Sequence, residues 1–149
     1  MAEAGTEVDG RGYLPLGSRK TSLLVRSRAQ FKTPRDGAGI PYYDLSWLGG
    51  RTYLRGTPSY RYRANNVLLV ASELQQTLVS MTAVRGVDVF GSADAGQSWS
   101  QRDEFRRDVW HTGVGGGVQY RHSRHLAARV EVSRGGTGTL AYVSLSRGF

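Results

Sequence analysis

Cysteine is absent from this chain of 149 residues, and proline occurs only four times. Without thiols there is neither a disulfide framework nor a thiolate metal site. No run approaches the ~20 apolar residues of a membrane-spanning helix. The first residues, MAEAGTEVDGRGYLPLG, lack the basic-then-apolar order of a secretory signal. An exported product would therefore draw its address from outside this chain. Lysine is scarce as well. Lys20 and Lys32 are the only two among 20 basic residues, so the other eighteen are Arg, against 12 acidic residues and a formal net charge of +8. Such a balance raises nucleic acid first, yet the basic residues are scattered from Arg11 to Arg147 and form no tail or helical stripe.

Helical periodicity is hard to find, while alternation of apolar and polar residues is common. Twenty glycines and eight tyrosines suit a β protein with many turns. Six strands follow from the alternation. TSLLVRSRAQFK sets Leu23, Val25 and Phe31 opposite Arg26, Arg28, Gln30 and Lys32. NNVLLVASELQQTLVS sets Leu68, Val70, Leu74 and Leu78 opposite Glu73 and Gln75. VRGVDVFGSADAG sets Val87, Val89, Ala93 and Ala95 opposite Asp88, Ser92 and Asp94. VGGGVQYRH, HLAARVEVS and TLAYVSLSRGF continue the pattern to the C-terminus. HSRH and SRGGTG are tight turns, and the longer polar links are Pro34 to Arg63 and Ser98 to Asp108. Residues 1–20 are expected to be partly disordered or, around Tyr13, the end of a preceding strand.

Two environments fit strands with one apolar and one polar face. In a soluble sandwich the apolar face meets a second sheet. In a transmembrane barrel it meets lipid and the polar face lines a lumen. Strands of ~9–12 residues match the ~9–11 a tilted strand needs to cross the hydrocarbon. Short turns alternate with long links, and the apolar positions hold Val, Leu and Ala, with few large aromatics. The expected class is therefore all-β, an antiparallel transmembrane β-barrel. Six strands fall short of the ~8 that close a small barrel, so closure calls for further strands or self-association.

The order YYDLSWLGGRTYLRGTPSYRYRANN, VLLVASELQQTL, VDVFGSADAGQSW, GVGGGVQYR and a terminal Phe resembles the C-terminal barrel portion of the outer-membrane assembly and translocation superfamily. BamA, TamA, the two-partner-secretion transporters and the bacterial surface antigens belong to it. The resemblance runs from Gly12 to Phe149, so that the whole of 1–149 reads as part of one barrel domain. It implies a place in the bacterial outer membrane and a role in assembly or translocation of proteins there. The implied partners are outer-membrane lipid including lipopolysaccharide, the outer-membrane assembly machinery, and client β-barrel or secreted proteins. No nucleic acid and no cofactor are implied. The family's N-terminal soluble repeats and first barrel strands have no counterpart here, so a fragment, a split gene or a mis-called start is expected.

Residue by residue, Gly49, Gly50, Leu54, Arg55 and Gly56 resemble the loop motif whose arginine-bearing tip folds back into the lumen. Glu73 matches the acidic position of the next strand. Asp94 and Gly96 match the D-x-G of the strand after it, and Phe149 the terminal aromatic read as an assembly signal. Thr57 stands where the family usually has Phe or Tyr, Ser92 where Phe or Gly precedes the D-x-G, and Ala64 where an acidic residue is common. Apart from the resemblance, Glu73 and Asp94 fall on the polar faces of neighbouring strands, where two carboxylates repel. A guanidinium between them can bond to both. The residues alone leave a loop arginine in solvent as the ordinary outcome, and it is the resemblance that implies Arg55 between Glu73 and Asp94.

Other motifs carry less. Gly49, Gly50 and Gly56 suit a sharp turn passing close to a wall better than an anion-binding nest. GVGGGV lacks the Lys-Ser/Thr of a phosphate loop and lies within a strand. His111, His122 and His125 lack metal spacing, and no nucleophile elbow surrounds any serine, so neither a catalytic nor a metal set is assigned. Arg61, Arg63, Arg102, Arg106 and Arg107 fall in the long links, as solvated charge or as contacts for lipopolysaccharide. Arg147 falls on the lipid-side parity, at headgroup depth. The alternative reading is a soluble basic β protein whose YLRGTPSYRYR segment stacks on nucleic acid or polysaccharide.

Overall fold

A computed structural model describes residues 3–17, 20–34, 39–101, 104–105, 109–123 and 126–146. Phe149, Arg147, His125 and three of the link arginines, Arg102, Arg106 and Arg107, lie outside the described residues. The chain is all-β and antiparallel. Strands β1 (Glu3–Pro15) and β2 (Thr21–Pro34) form the first hairpin. A long excursion follows, holding two short strands, β3 (Ser46–Leu48) and β4 (Tyr62–Ala64), and a single helical turn, α1 (Gly50–Tyr53). Five more strands complete the main sheet: β5 (Asn66–Ser80), β6 (Gly86–Trp99), β7 (His111–Ser123), β8 (Leu126–Gly135) and β9 (Gly138–Ser146). The order across the sheet is β1-β2-β5-β6-β7-β8-β9, and β3 pairs only with β4.

The main sheet has seven strands, where about six and part of a seventh were expected. The seventh is β1, which pairs with β2 from Glu3↔Pro34 to Pro15↔Ser22, in the segment expected to be partly disordered or, around Tyr13, the end of a preceding strand. Its alternation was faint because Gly10 and Gly12 occupy the face on which Val8 and Leu14 stand. Every neighbouring pair in the main sheet is antiparallel. With an odd number of strands, the edges β1 and β9 run in the same direction.

Side-chain parity sorts the two faces as the alternation required. Val70, Leu74, Leu78, Val114, Val118, Val130 and Val132 are exposed on one face, and Val143 and Leu145 on β9 are 80% and 77% exposed. The opposite face carries Arg26, Arg28, Glu73, Asp88, Asp94, Arg121, Arg129 and Glu131, of which Arg28, Asp88, Asp94 and Glu131 are buried and the rest half-buried. The usual partition is thus inverted, with apolar residues outside and charges inside. What covers the charged face is the excursion between β2 and β5. A small apolar core of Leu48, Leu54, Val67 and Leu69, flanked by Tyr53 and Tyr62, seals it to β5.

The sheet curls around this excursion. Arg26 on β2 donates to the Thr52 carbonyl at 3.1 Å, and the adjacent Arg51 donates to Ser144 Oγ on β9 at 2.6 Å. Five inter-strand steps separate β2 from β9, about 24 Å in a flat sheet at ~4.8 Å per step. Two neighbouring residues cannot span that distance, so the wall must bend to meet them.

Candidate functional site

The loop tip Leu54-Arg55-Gly56-Thr57 lies against the charged face. Its backbone explains its composition. Gly56 has φ +74 and packs on β8, where a Cβ would fall 2.4 Å from the Arg134 carbonyl carbon. On β7, a Cβ at Gly113 would fall 2.0 Å from the Arg55 carbonyl oxygen. Both strand and tip are therefore stripped of side chain where they touch. Thr137 Oγ1 donates to the Gly56 carbonyl at 3.3 Å, which holds the tip to the β8–β9 turn. Gly49 and Gly50 do not offer an open nest, because Gly49 N–H bonds to the Tyr53 carbonyl and Gly50 N–H to the Thr57 carbonyl.

The structure brings Arg55, Glu73 and Asp94 together. Arg55 Nε and Nη2 donate to the two oxygens of Asp94 at 2.8 and 2.7 Å, and its backbone N–H adds a third bond at 2.9 Å. Nη1 donates to Glu73 Oε2 at 2.7 Å. Bidentate pairing of this kind uses the guanidinium fork in a way lysine cannot. Burial opposes the charge of Arg55, but hydrogen bonds to Asp94 and then Glu73 more than offset it and hold the guanidinium above its ordinary pKa.

Two members of the cluster escaped the sequence reading. Arg129 on β8 donates to both oxygens of Glu73, at 2.9 and 2.8 Å, and to Glu131 Oε2 at 2.9 Å. Glu131 stands 3.7 Å from Arg55 Nη1 and accepts from Ser133 Oγ at 2.9 Å. Two guanidiniums thus serve three carboxylates. Arg129 also lies over the Phe90 ring, 3.5 Å from its centroid. Parity had placed Arg129 and Glu131 on the polar face. Only the curl brings β8 to β5, three steps away and about 14 Å in a flat sheet.

Around this centre the loop is gripped on both sides. Tyr53 lies against Arg28 and Arg26, whose guanidinium carbons are 4.2 and 4.9 Å from its centroid. Arg28 is itself paired to Glu7 at 2.8 Å. Trp47 packs on Tyr53 and Tyr60, and Arg63 stacks on Tyr42 at 4.3 Å. Leu48 rests above Gly96, where a Cβ would meet Leu48 Cδ1 at 3.0 Å. Of the histidines, His111 stacks on Tyr62 with ring centroids 3.7 Å apart. A separate polar knot lies toward the other end of the sheet. There the fully buried Asp88 accepts from Arg121 Nε at 2.6 Å, Thr77 at 2.7 Å and Gln75 at 2.9 Å.

Chemically, the arrangement fixes a segment across the concave face by pairing charges that would be costly to bury alone. No family model, curated protein or solved structure matches this chain.

Proposed function

We propose that this chain forms part of the wall of an outer-membrane β-barrel of the surface-antigen, BamA or TamA type. The loop of residues 39–64 lies in the lumen, and the role is in insertion or translocation of other proteins at that membrane. The observation that carries the reading is the inverted polarity of the sheet. Its convex face presents Val70, Val118, Val130, Val143 and Leu145 to the surroundings, while Asp88, Asp94 and Glu131 are buried on the concave face. Lipid is the surrounding in which that partition is favourable. The two long connections, after β2 and after β6, leave from the same end of the sheet, as they do when barrel ends face different compartments.

In lipid the free edges of β1 and β9 would each expose unpaired N–H and C=O groups at several kcal/mol apiece. Because the edges run in the same direction, an element joining them with antiparallel pairs throughout must contribute an odd number of strands. A second copy satisfies this only upside down, with its loop at the opposite end. Further strands in the same orientation satisfy it directly.

The residues that a nucleic-acid reading would use are occupied within the fold. Tyr53 is held against two arginines, and Arg55 is committed to Asp94 and Glu73. The test is extraction and gel mobility. Recovery only in detergent, with migration that shifts on boiling, is the expected result. Full solubility without detergent, together with salt-dependent RNA binding, refutes the reading.

A further inference from the structure

Beneath the loop lies a cavity of about 280 Å³ that the clamp leaves unfilled. Its walls come from β1, β2, α1, the loop tip, β5 and β8, and include Arg11, Arg26, Arg51, Arg55 and Arg129 with Glu73 and Glu131. The charges are unevenly placed. On the β5 and β8 side, Arg55 and Arg129 are matched by carboxylates. On the β1, β2 and α1 side no carboxylate among the described residues lines the wall, and the nearby Asp9 pairs with Arg26 and Arg11 and leaves Arg51 unmatched.

Arg11 and Arg26 are direct cross-strand partners on the same face. Like charges so placed are destabilising. Asp9 is the carboxylate between them. It is bonded through both oxygens to Arg26, while Arg11 reaches it only at 3.5 Å. Arg26 also donates to the Thr52 carbonyl, which brings it next to Arg51. Arg51 bonds to Ser144 Oγ and has no carboxylate within 4.0 Å among the described residues.

We propose that this cavity is a binding site for a small oxyanion, the phosphate or carboxylate group of a solute, held between Arg11, Arg26 and Arg51. The group would relieve the Arg11–Arg26 repulsion and take up donors that the fold leaves unused. At about 280 Å³ the cavity is just below the ~300 Å³ at which sites for drug-sized ligands begin, so the occupant is small. The site depends on the docked loop and is indifferent to what covers the convex face. Its failure would leave the reading of the wall untouched.

Calorimetric titration of the full detergent-solubilised chain with inorganic phosphate, and separately with succinate, tests this at ionic strength held constant with chloride. Saturable binding of at least one anion is expected, weakened about tenfold or more in Arg11→Gln and in Arg51→Gln and unchanged in Arg61→Gln. Should Arg51→Gln release the loop, Arg11→Gln carries the test, since among the described residues Arg11 pairs only with Asp9. No saturable binding of either anion, or affinity retained in Arg11→Gln, overturns the proposal.

Discussion

Replacing Arg55 by Ala removes the group that ties the loop tip to β5 and β6. Asp94 would lose guanidinium bonds of 2.8 and 2.7 Å. Its side chain is 3% exposed and would keep one protein donor from the tip, the backbone N–H of residue 55 at 2.9 Å. Glu73 fares better, because Arg129 still bonds to both of its oxygens. Stranding a buried charge costs ~3–5 kcal/mol, and the surviving Glu73–Arg129 pair puts the expected cost at the lower end, about 3 kcal/mol. At 1.4 kcal/mol per factor of ten, the undocked population rises on the order of 10²-fold. Limited trypsin digestion reads that population where reclosing outpaces cleavage, with Arg51 and Arg61 flanking the tip. Cleavage in the loop should accelerate by the same factor. Asp94→Asn combined with Arg55→Ala removes the stranded charge. The double variant should therefore be less damaged than the sum of the two singles, by a coupling of ~0.5–3 kcal/mol. A cleavage rate within twofold of the parent, or strict additivity, would refute the clamp.

Other expectations can be checked with the same preparations. Gly113→Ala puts a methyl 2.0 Å from the Arg55 carbonyl and should loosen the loop about as much as Arg55→Ala. Gly12→Ala, which meets nothing within 4 Å, should leave digestion unchanged. Asp88→Asn weakens the charge-assisted bonds to Arg121 far from the loop. It should lower the denaturation midpoint by the equivalent of ~1.5–3 kcal/mol while trypsin cleavage of the loop stays at the parent rate. Val143→Arg, at a position 80% exposed on β9, should cost ~2–4 kcal/mol in bilayers if it sits near the midplane. In water it should cost almost nothing.

The strand parity was legible because period two survives even where the strands differ in composition. Leu74 and Glu73, or Val130 and Glu131, declare opposite faces by themselves. The Glu73–Asp94 pair was legible for a related reason, since the two lie on adjacent strands and need no curvature to meet. That Arg55 reaches them was legible only through the likeness of the loop motif, because a loop arginine is otherwise solvated. Arg129 and Glu131 were not joined to it, because their strand reaches β5 only through the bend of the whole sheet. Only the end of β1, around Tyr13, was anticipated, because Gly10 and Gly12 thinned its apolar face further back. The three-residue strands β3 and β4 were missed because so short a segment carries no period. Gly113 and Gly135 look like ordinary strand glycines, and only the passage of the loop over them explains their lack of side chain.

The absence of native cysteine lets single-cysteine variants carry one fluorophore each without background labelling. Labels at Val70, Val130 and Val143, and at Ala71, Ala127 and Ser144 on the opposite face, sample the two faces of three strands in reconstituted vesicles. The account predicts that acyl-chain-brominated lipid quenches the first set and aqueous iodide the second, in strict alternation along each strand. Iodide quenching of Val70, Val130 and Val143 with no response to brominated lipid would contradict a lipid-facing wall.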